Sequence, residues 1–185
     1  MRSFATQAKF SRGSVSFNLL MKMPEDVRRR NGTILAIAVA AFVLVAVIQG
    51  LRLGFVPLSW GWYSPIYEKD GIAIEGYDPV AYHLGSKAQL GQESIRYRWQ
   101  DLDWYFASEQ NKALFHAAPE KYAPAFGGYC AKAVSSGFSG GGNPRVWHIQ
   151  DGKLYFFFSD GAKESWLAEI DAGIVRRSEA NWFNR

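Results

Sequence analysis

Hydrophobic and polar positions follow two different rhythms along this chain. From Gly32 to Val56 the only charge is Arg52 and the only other strongly polar side chain is Gln49, while Ile34 to Ile48 is entirely apolar. A helix needs about 20 such residues to cross a hydrocarbon layer about 30 Å thick, and it satisfies its own backbone hydrogen bonds there. The run therefore predicts a membrane-spanning helix over 32–57, with Arg52 snorkelling at one end and Pro57 as the stop. Phe55, Trp60, Trp62, Tyr63 and Tyr67 follow, ring types suited to a membrane interface.

Beyond residue 70 the periods shorten. Gly71 to Tyr82 (GIAIEGYDPVAY) reads as an extended approach broken by a turn at Gly76 and Asp78-Pro79. Ser94 to Trp99 alternates Ile95, Tyr97 and Trp99 against Ser94, Arg96 and Arg98, the period of a half-buried strand. Asp101-Leu102-Asp103 turns the chain into a second strand at Trp104-Tyr105-Phe106, so a hairpin is expected. Ser108 is placed to cap a helix through Ala117 that buries Leu114 and Phe115, stopped by Pro119. Ser135 to Pro144 (SSGFSGGGNP) reads as a flexible loop by composition, and such glycine-rich loops often surround sites. Arg145–Ile149 and Lys153–Phe158 flank Asp151-Gly152 as a tight hairpin. Asp160 is expected to cap a helix through Ile170 with Gly173 as its stop, and a last helix carries Trp182 and Phe183.

These elements predict an α+β fold: a small antiparallel sheet of hairpins with flanking helices, preceded by one transmembrane helix. The organisation expected is a basic tail (1–31), the transmembrane helix (32–57), an interfacial linker (58–70) and a folded domain (71–185). At 185 residues and 48% hydrophobic the chain has room for one real core, and its 16% aromatic share is high. Within the tail, Phe10, Val15, Phe17, Leu19, Leu20 and Met21 suit a short helix lying on a surface, and Met21 and Met23 are alternative starts.

Charge sharpens this picture. The net charge is +4, but residues 1–31 alone hold seven basic side chains against two acidic ones, so the remainder is close to neutral. A near-neutral domain without a basic stripe is a poor holder of phosphate backbones, which excludes nucleic acid as the expected partner. Arg28, Arg29 and Arg30 abut the apolar run and place its N-terminal side in the cytoplasm by the positive-inside tendency. The expected location is thus the cytoplasmic membrane, single-pass, with the C-terminal domain periplasmic. A buried core helix is the first rival, but it would rarely be apolar on all faces for so long. A cleaved signal peptide is the second, and no small-x-small cleavage site stands around Val47 to Leu53.

Three stretches, GYDPVAY (76–82), WYFASEQNKALFHAAPEKYAPAFGGYCA (104–131) and WHIQDGKLYFFFS (147–159), resemble the YHS-domain family. The resemblance covers the chain from about Gly71 to its end. Shorter members, attached to copper-transporting ATPases and some oxygenases, are thought to bind metal through cysteines near the DPV and FxS motifs. This chain departs there: Ala81 stands where one cysteine is expected, and Ala107 and Asn111 occupy the region of the second. Cys130, in the GGYC motif of the longer branch, is the single cysteine, so no internal disulfide can form.

Cys130 has three readings: a soft-metal ligand together with histidines, a reactive nucleophile, or a small buried apolar residue. Of the three histidines, His148 alternates with Trp147 and Ile149 onto the opposite face of its strand, His83 follows the GYDPVAY turn, and His116 sits where a cation suits a helix C-terminus. The metal-ligand set expected is therefore Cys130, His148 and His83, for copper or another transition metal. A structural zinc site is unsupported without C-x-x-C or H-x-x-x-H pairing. Gly137-Phe138-Ser139-Gly140-Gly141 fits G-x-S-x-G but runs on into Gly142-Asn143-Pro144 instead of opening a helix, a chance match. Tyr97, Trp99, Trp104, Phe106, Trp147, Tyr155 and Phe157 read as core, with a ligand pocket as the alternative.

The functional expectation is a membrane-anchored extracytoplasmic binding module for a copper-like metal ion or a small ligand. Its alternative is an accessory subunit of a larger membrane complex, partnered through the bilayer and through small residues such as Ala36, Ala40 and Gly50. No acid-base or nucleophile constellation assembles from the sequence, so no enzyme is expected.

Overall fold

The computed structural model describes residues 25–52, 54–61 and 63–184, with side chains from Arg29 onward. The expected surface helix of the tail and the interfacial Trp62 lie outside the described residues. The chain divides into two compact units, Met1–Ile48 and Gln49–Arg185.

In the first unit the described chain is helical and continues as α1 (Glu25–Arg52) into the second. Every side chain from Arg29 to Gln49 is exposed, although Ile34 to Ile48 are all apolar. The stretch Arg29–Arg52, at 24 residues, is long and apolar enough to span a membrane, reaching about 36 Å at about 1.5 Å per residue. A signal sequence near an N-terminus shares those two properties. The helix does not run on to Pro57. Gly54 adopts φ 73°, its N–H donates to Leu51 O at 3.0 Å and the Phe55 N–H to Gly50 O at 2.9 Å. This paired bonding of the last carbonyls around a left-handed glycine ends the helix, and glycine enters that conformation without steric cost. Pro57 lies instead in β1 (Val56–Pro57).

The second unit is mixed α+β, with eight short strands and six further helices among the described residues. The strands are β2 (Glu68–Lys69), β3 (Ile72–Ala73), β4 (Gln92–Trp99), β5 (Leu102–Phe106), β6 (Phe138–Ser139), β7 (Asn143–Gln150) and β8 (Lys153–Phe157), following β1. They form three small sheets: β1-β6, β2-β3-β5-β4 and β7-β8. The two expected hairpins are present, with Tyr97 opposite Trp104 and His148 opposite Tyr155. They belong to separate sheets, and β3 joins β5 in parallel through Ile72 and Asp103. The single antiparallel sheet is thereby corrected. At the second hairpin Asp151 (φ 51°) and Gly152 (φ 75°) both take left-handed conformations, the backbone that matches the twist of a two-residue turn.

The helices are α2 (Pro79–Gly85), α3 (Glu109–Ala117), α4 (Pro119–Tyr122), α5 (Ala131–Ser135), α6 (Asp160–Leu167) and α7 (Ile174–Phe183). Ser108 caps α3, its Oγ accepting the Asn111 N–H at 3.1 Å. Pro119 ends that helix and opens α4 at once, because its missing N–H is no loss at a first helical position. At α6 the cap is Ser159 rather than Asp160, and the helix stops at Leu167; Gly173 (φ 82°) opens α7 instead of closing α6.

Ser135 to Pro144 runs from the end of α5 through β6 into the start of β7. Here glycine is required by close approach. A Cβ at Gly142 would stand 2.3 Å from Gly128 O, one at Gly140 2.8 Å from the Phe55 ring, and one at Gly141 2.8 Å from the Tyr67 ring.

The core has two clusters, and β8 separates them. Leu154 and Phe156 pack with Ile74, Tyr82, Trp104, Phe106 and Phe115, while Tyr155 and Phe157 pack with Phe126, Cys130, Trp166, Ile174 and Trp182. Successive strand side chains point to opposite faces, so a continuous apolar run LYFF serves both at once. Each large ring wholly removed from water contributes roughly 1.5–3 kcal/mol.

Candidate functional site

The three expected metal ligands fall in three places. Cys130 is 2% exposed within the Trp166 cluster, at the start of α5, and its N–H donates to Gly140 O at 2.7 Å. His148 is half-buried on β7 opposite Tyr155. His83, in the last turn of α2, packs edge-on against Tyr122 at 5.4 Å between ring centres. Burial, reinforced by Lys121, holds its imidazole below the usual range, partly offset by a hydrogen bond to the Tyr122 backbone. Its Nε2 is buried without a hydrogen-bond partner among the described residues. Among the described residues no group of three or more His, Cys, Asp or Glu side chains could hold one ion, so Cys130, His148 and His83 do not form a centre. Their spacing in sequence was compatible with convergence, but the fold sets Cys130 at the start of α5, His148 on β7 and His83 in the last turn of α2.

Where the family resemblance called for cysteines, the chain places a different device. The carboxylate of Asp78 is fully buried and caps α2, Oδ1 accepting the Val80 N–H at 2.8 Å and the Ala81 N–H at 3.3 Å. Oδ2 accepts the Ala107 N–H at 2.8 Å and Asn111 Nδ2 at 2.6 Å. Ala81, Ala107 and Asn111 thus converge on one acceptor, and four donors satisfy a charge that would be costly to bury alone. Asp78-Pro79 therefore starts a helix, where the sequence suggested only a turn.

Ser139 of the G-x-S-x-G pattern donates its hydroxyl to Val56 O at 3.1 Å and ties β6 to β1. His116 is exposed at the end of α3, edge-on to Tyr97 at 4.9 Å.

Trp104, Phe106, Tyr155 and Phe157 are core residues, and Trp99, Trp104 and Tyr155 also line a pocket. A cavity of about 370 Å³ lies between the β4–β5 turn, the 119–127 segment, β8 and α7. Its walls include Trp99, Trp104, Phe126, Tyr155 and Trp182. At its rim Lys153 Nζ meets Glu179 Oε1 at 2.7 Å, beside Glu120 and Lys121. Tyr155 is pushed up to about 12 by burial first, then by Glu179 and Asp151, so its phenol is neutral at ordinary pH. A concavity of this size with aromatic walls and charged groups among its lining suits a small organic molecule. Of its walls, Trp99, Trp104 and Tyr155 were among the aromatic candidates. Phe126, Glu179 and the ion pair were missed, since nothing local in the sequence links residues 126, 153 and 179.

No protein family, curated protein or solved structure matches this chain.

Proposed function

We propose that this chain is a membrane-anchored binding module whose domain accepts a small, flat, largely apolar molecule with a polar edge. The observation that carries the reading is the 370 Å³ aromatic cavity with the Lys153–Glu179 pair at its mouth. Rings on several sides offer stacking contacts, and the paired charges and the neutral Tyr155 phenol offer hydrogen bonds to a polar edge. In this reading the copper-like ligand set is given up, while the YHS-domain resemblance remains the proposed ancestry. The orientation proposed keeps the arginine-rich end of α1 in the cytoplasm and the domain outside.

Indole and benzoate serve as probes in ligand-observed NMR with the full chain in maltoside micelles. Saturable binding that drops at least tenfold in Ala123→Phe, which fills the cavity without removing a core ring, supports the reading. Absent binding, or equal affinity in that variant with an unchanged melting temperature, overturns it. The anchor is tested separately: the full-length chain stays in the pellet after a carbonate wash of membranes, and a soluble, shortened product instead shows a cleaved leader.

The accessory-subunit reading draws on Leu84 and Leu90, 62% and 57% exposed on the folded unit. A large assembly recovered in mild detergent, and dispersed by Leu84→Ser with Leu90→Ser, favours it over the ligand-binding reading.

A further inference from the structure

A second concavity shares no described lining residue with the aromatic cavity. It is a groove of about 870 Å³ whose wall takes Arg52 from the last turn of α1 and continues through Tyr63, Tyr67 and Tyr129 to Arg145. Arg52 closes the helix that is long and apolar enough to cross a membrane. Given the anchored reading above, Arg52 ends that helix at the headgroup level.

The tyrosines stand edge to face, Tyr63 on Tyr129 at 5.7 Å and Tyr67 on Tyr129 at 5.8 Å. Their hydroxyls are tied down: Tyr63 to Leu58 O at 3.3 Å, Tyr129 to Ser64 O at 2.9 Å and Tyr67 to Glu75 Oε1 at 3.2 Å. Rings held this way are pre-organised, so little freedom is lost on binding. Aromatic rings with carboxylates beside them attract an ammonium group. Two carboxylates are present. Glu68 accepts the Gly71 N–H at 2.8 Å, and Glu75 accepts the Tyr67 hydroxyl, each keeping lone pairs for further donors.

Glu75 is exposed with φ 55°, directly after Ile74 at φ 44°. A β-branched residue in that conformation is strained, and such strain persists where surrounding bonds hold it. Here the Ile74 N–H donates to Tyr67 O at 3.1 Å and the Tyr77 N–H to Ile74 O at 3.2 Å, which fixes Glu75 beside Tyr67.

Opposite in charge, Arg52 and Arg145 also line the groove, and neither forms a salt bridge to a described residue. The Arg145 guanidinium lies 5.9 Å from the Tyr77 ring centre and is exposed. Guanidinium forks match phosphate oxygens.

We infer that this groove binds a phosphorylated amino alcohol, Tyr67 with Glu68 and Glu75 receiving the ammonium and Arg52 with Arg145 the phosphate. The group can come from a phospholipid headgroup or from a soluble compound of the same chemistry.

Phosphoethanolamine is titrated by calorimetry into the full chain in dodecyl maltoside. Saturable binding is expected, weakened at least tenfold by Arg145→Gln and by Glu75→Gln, whereas ethanolamine alone responds only to Glu75→Gln. Both substitutions change exposed side chains, and an unchanged melting temperature confirms that the fold is kept. In nanodiscs, loss of the titration with phosphatidylethanolamine but not with phosphatidylglycerol identifies the lipid as the source; titration in both identifies the soluble compound. No saturable binding in maltoside, or full affinity in both variants, overturns the site. Ala123→Phe leaves this titration unchanged, so its failure and that of the aromatic cavity are told apart.

Discussion

Asn111 Nδ2 donates to Asp78 Oδ2 at 2.6 Å across 33 residues of chain. The bond joins the start of α2 to the start of α3, each also capped locally, so one buried carboxylate sets how two helices begin. Asn111→Ala should cost about 1.5–3 kcal/mol, as expected for a hydrogen bond to a charged group, and Asp78→Ala about 4 kcal/mol or more, because four donors lose their acceptor. Urea denaturation of the full chain in micelles, followed by tryptophan fluorescence, measures both. Losses under about 0.5 kcal/mol would mean that the network contributes nothing net.

Gly142 and Gly137 should respond differently to alanine. At Gly142 the new methyl meets backbone at 2.3 Å, whereas at Gly137 (φ 84°) it meets nothing within 4 Å and only the backbone conformation is penalised. Gly137→Ala is expected to cost about 1–2 kcal/mol, and Gly142→Ala more, at the upper end of about 1–3 kcal/mol or beyond it. Equal melting temperatures for the two variants would contradict the close approach.

Stability should decline in alkali. Tyr155 titrates near 12 in the folded chain against 10.0 unfolded, and burial raises Tyr82 further, helped by Tyr77, Asp78 and Glu75. The unfolded chain gives up these protons first, so the stabilisation is whole below about pH 10 and lost as pH rises through about 12. Tyrosinate absorbance at fixed urea should rise together with unfolding, and Tyr155→Phe should remove part of the slope. Stability that stays level across this range would disprove the assignment.

Cys130 should be silent to thiol reagents until the domain opens. At 2% exposure and with its backbone held by Gly140, it is reached only through unfolding. A disulfide reagent should therefore modify it at least a hundredfold faster in denaturant than in native micelles. Equal rates would place the thiol at the surface.

Properties carried by contiguous residues were legible in the sequence. The apolar run predicted α1, the alternation of Ile95, Tyr97 and Trp99 predicted the face of β4, and Ser108 predicted the cap of α3, because hydrogen bonding and burial there depend on neighbours within a few positions. The boundaries shifted where a local rule competed with another: Gly54 ended α1 before Pro57 could, and Ser159 displaced Asp160 as a cap.

What the tertiary structure alone decided was which distant side chains meet. Composition cast Gly140 to Gly142 as a flexible loop, but the chain uses them where Phe55, Tyr67 and Gly128 press too close for a Cβ. Cys130, His148 and His83 carried the right chemistry for a metal, yet they stand at three separate elements, α5, β7 and α2, and no three-ligand group forms among the described residues. Conversely, Phe126, Tyr155, Glu179 and Trp182 share a cavity that no periodicity announces. Local pattern fixes an element's type through short-range hydrogen bonds and burial, whereas a site depends on the packing of elements far apart in sequence, which that pattern does not encode.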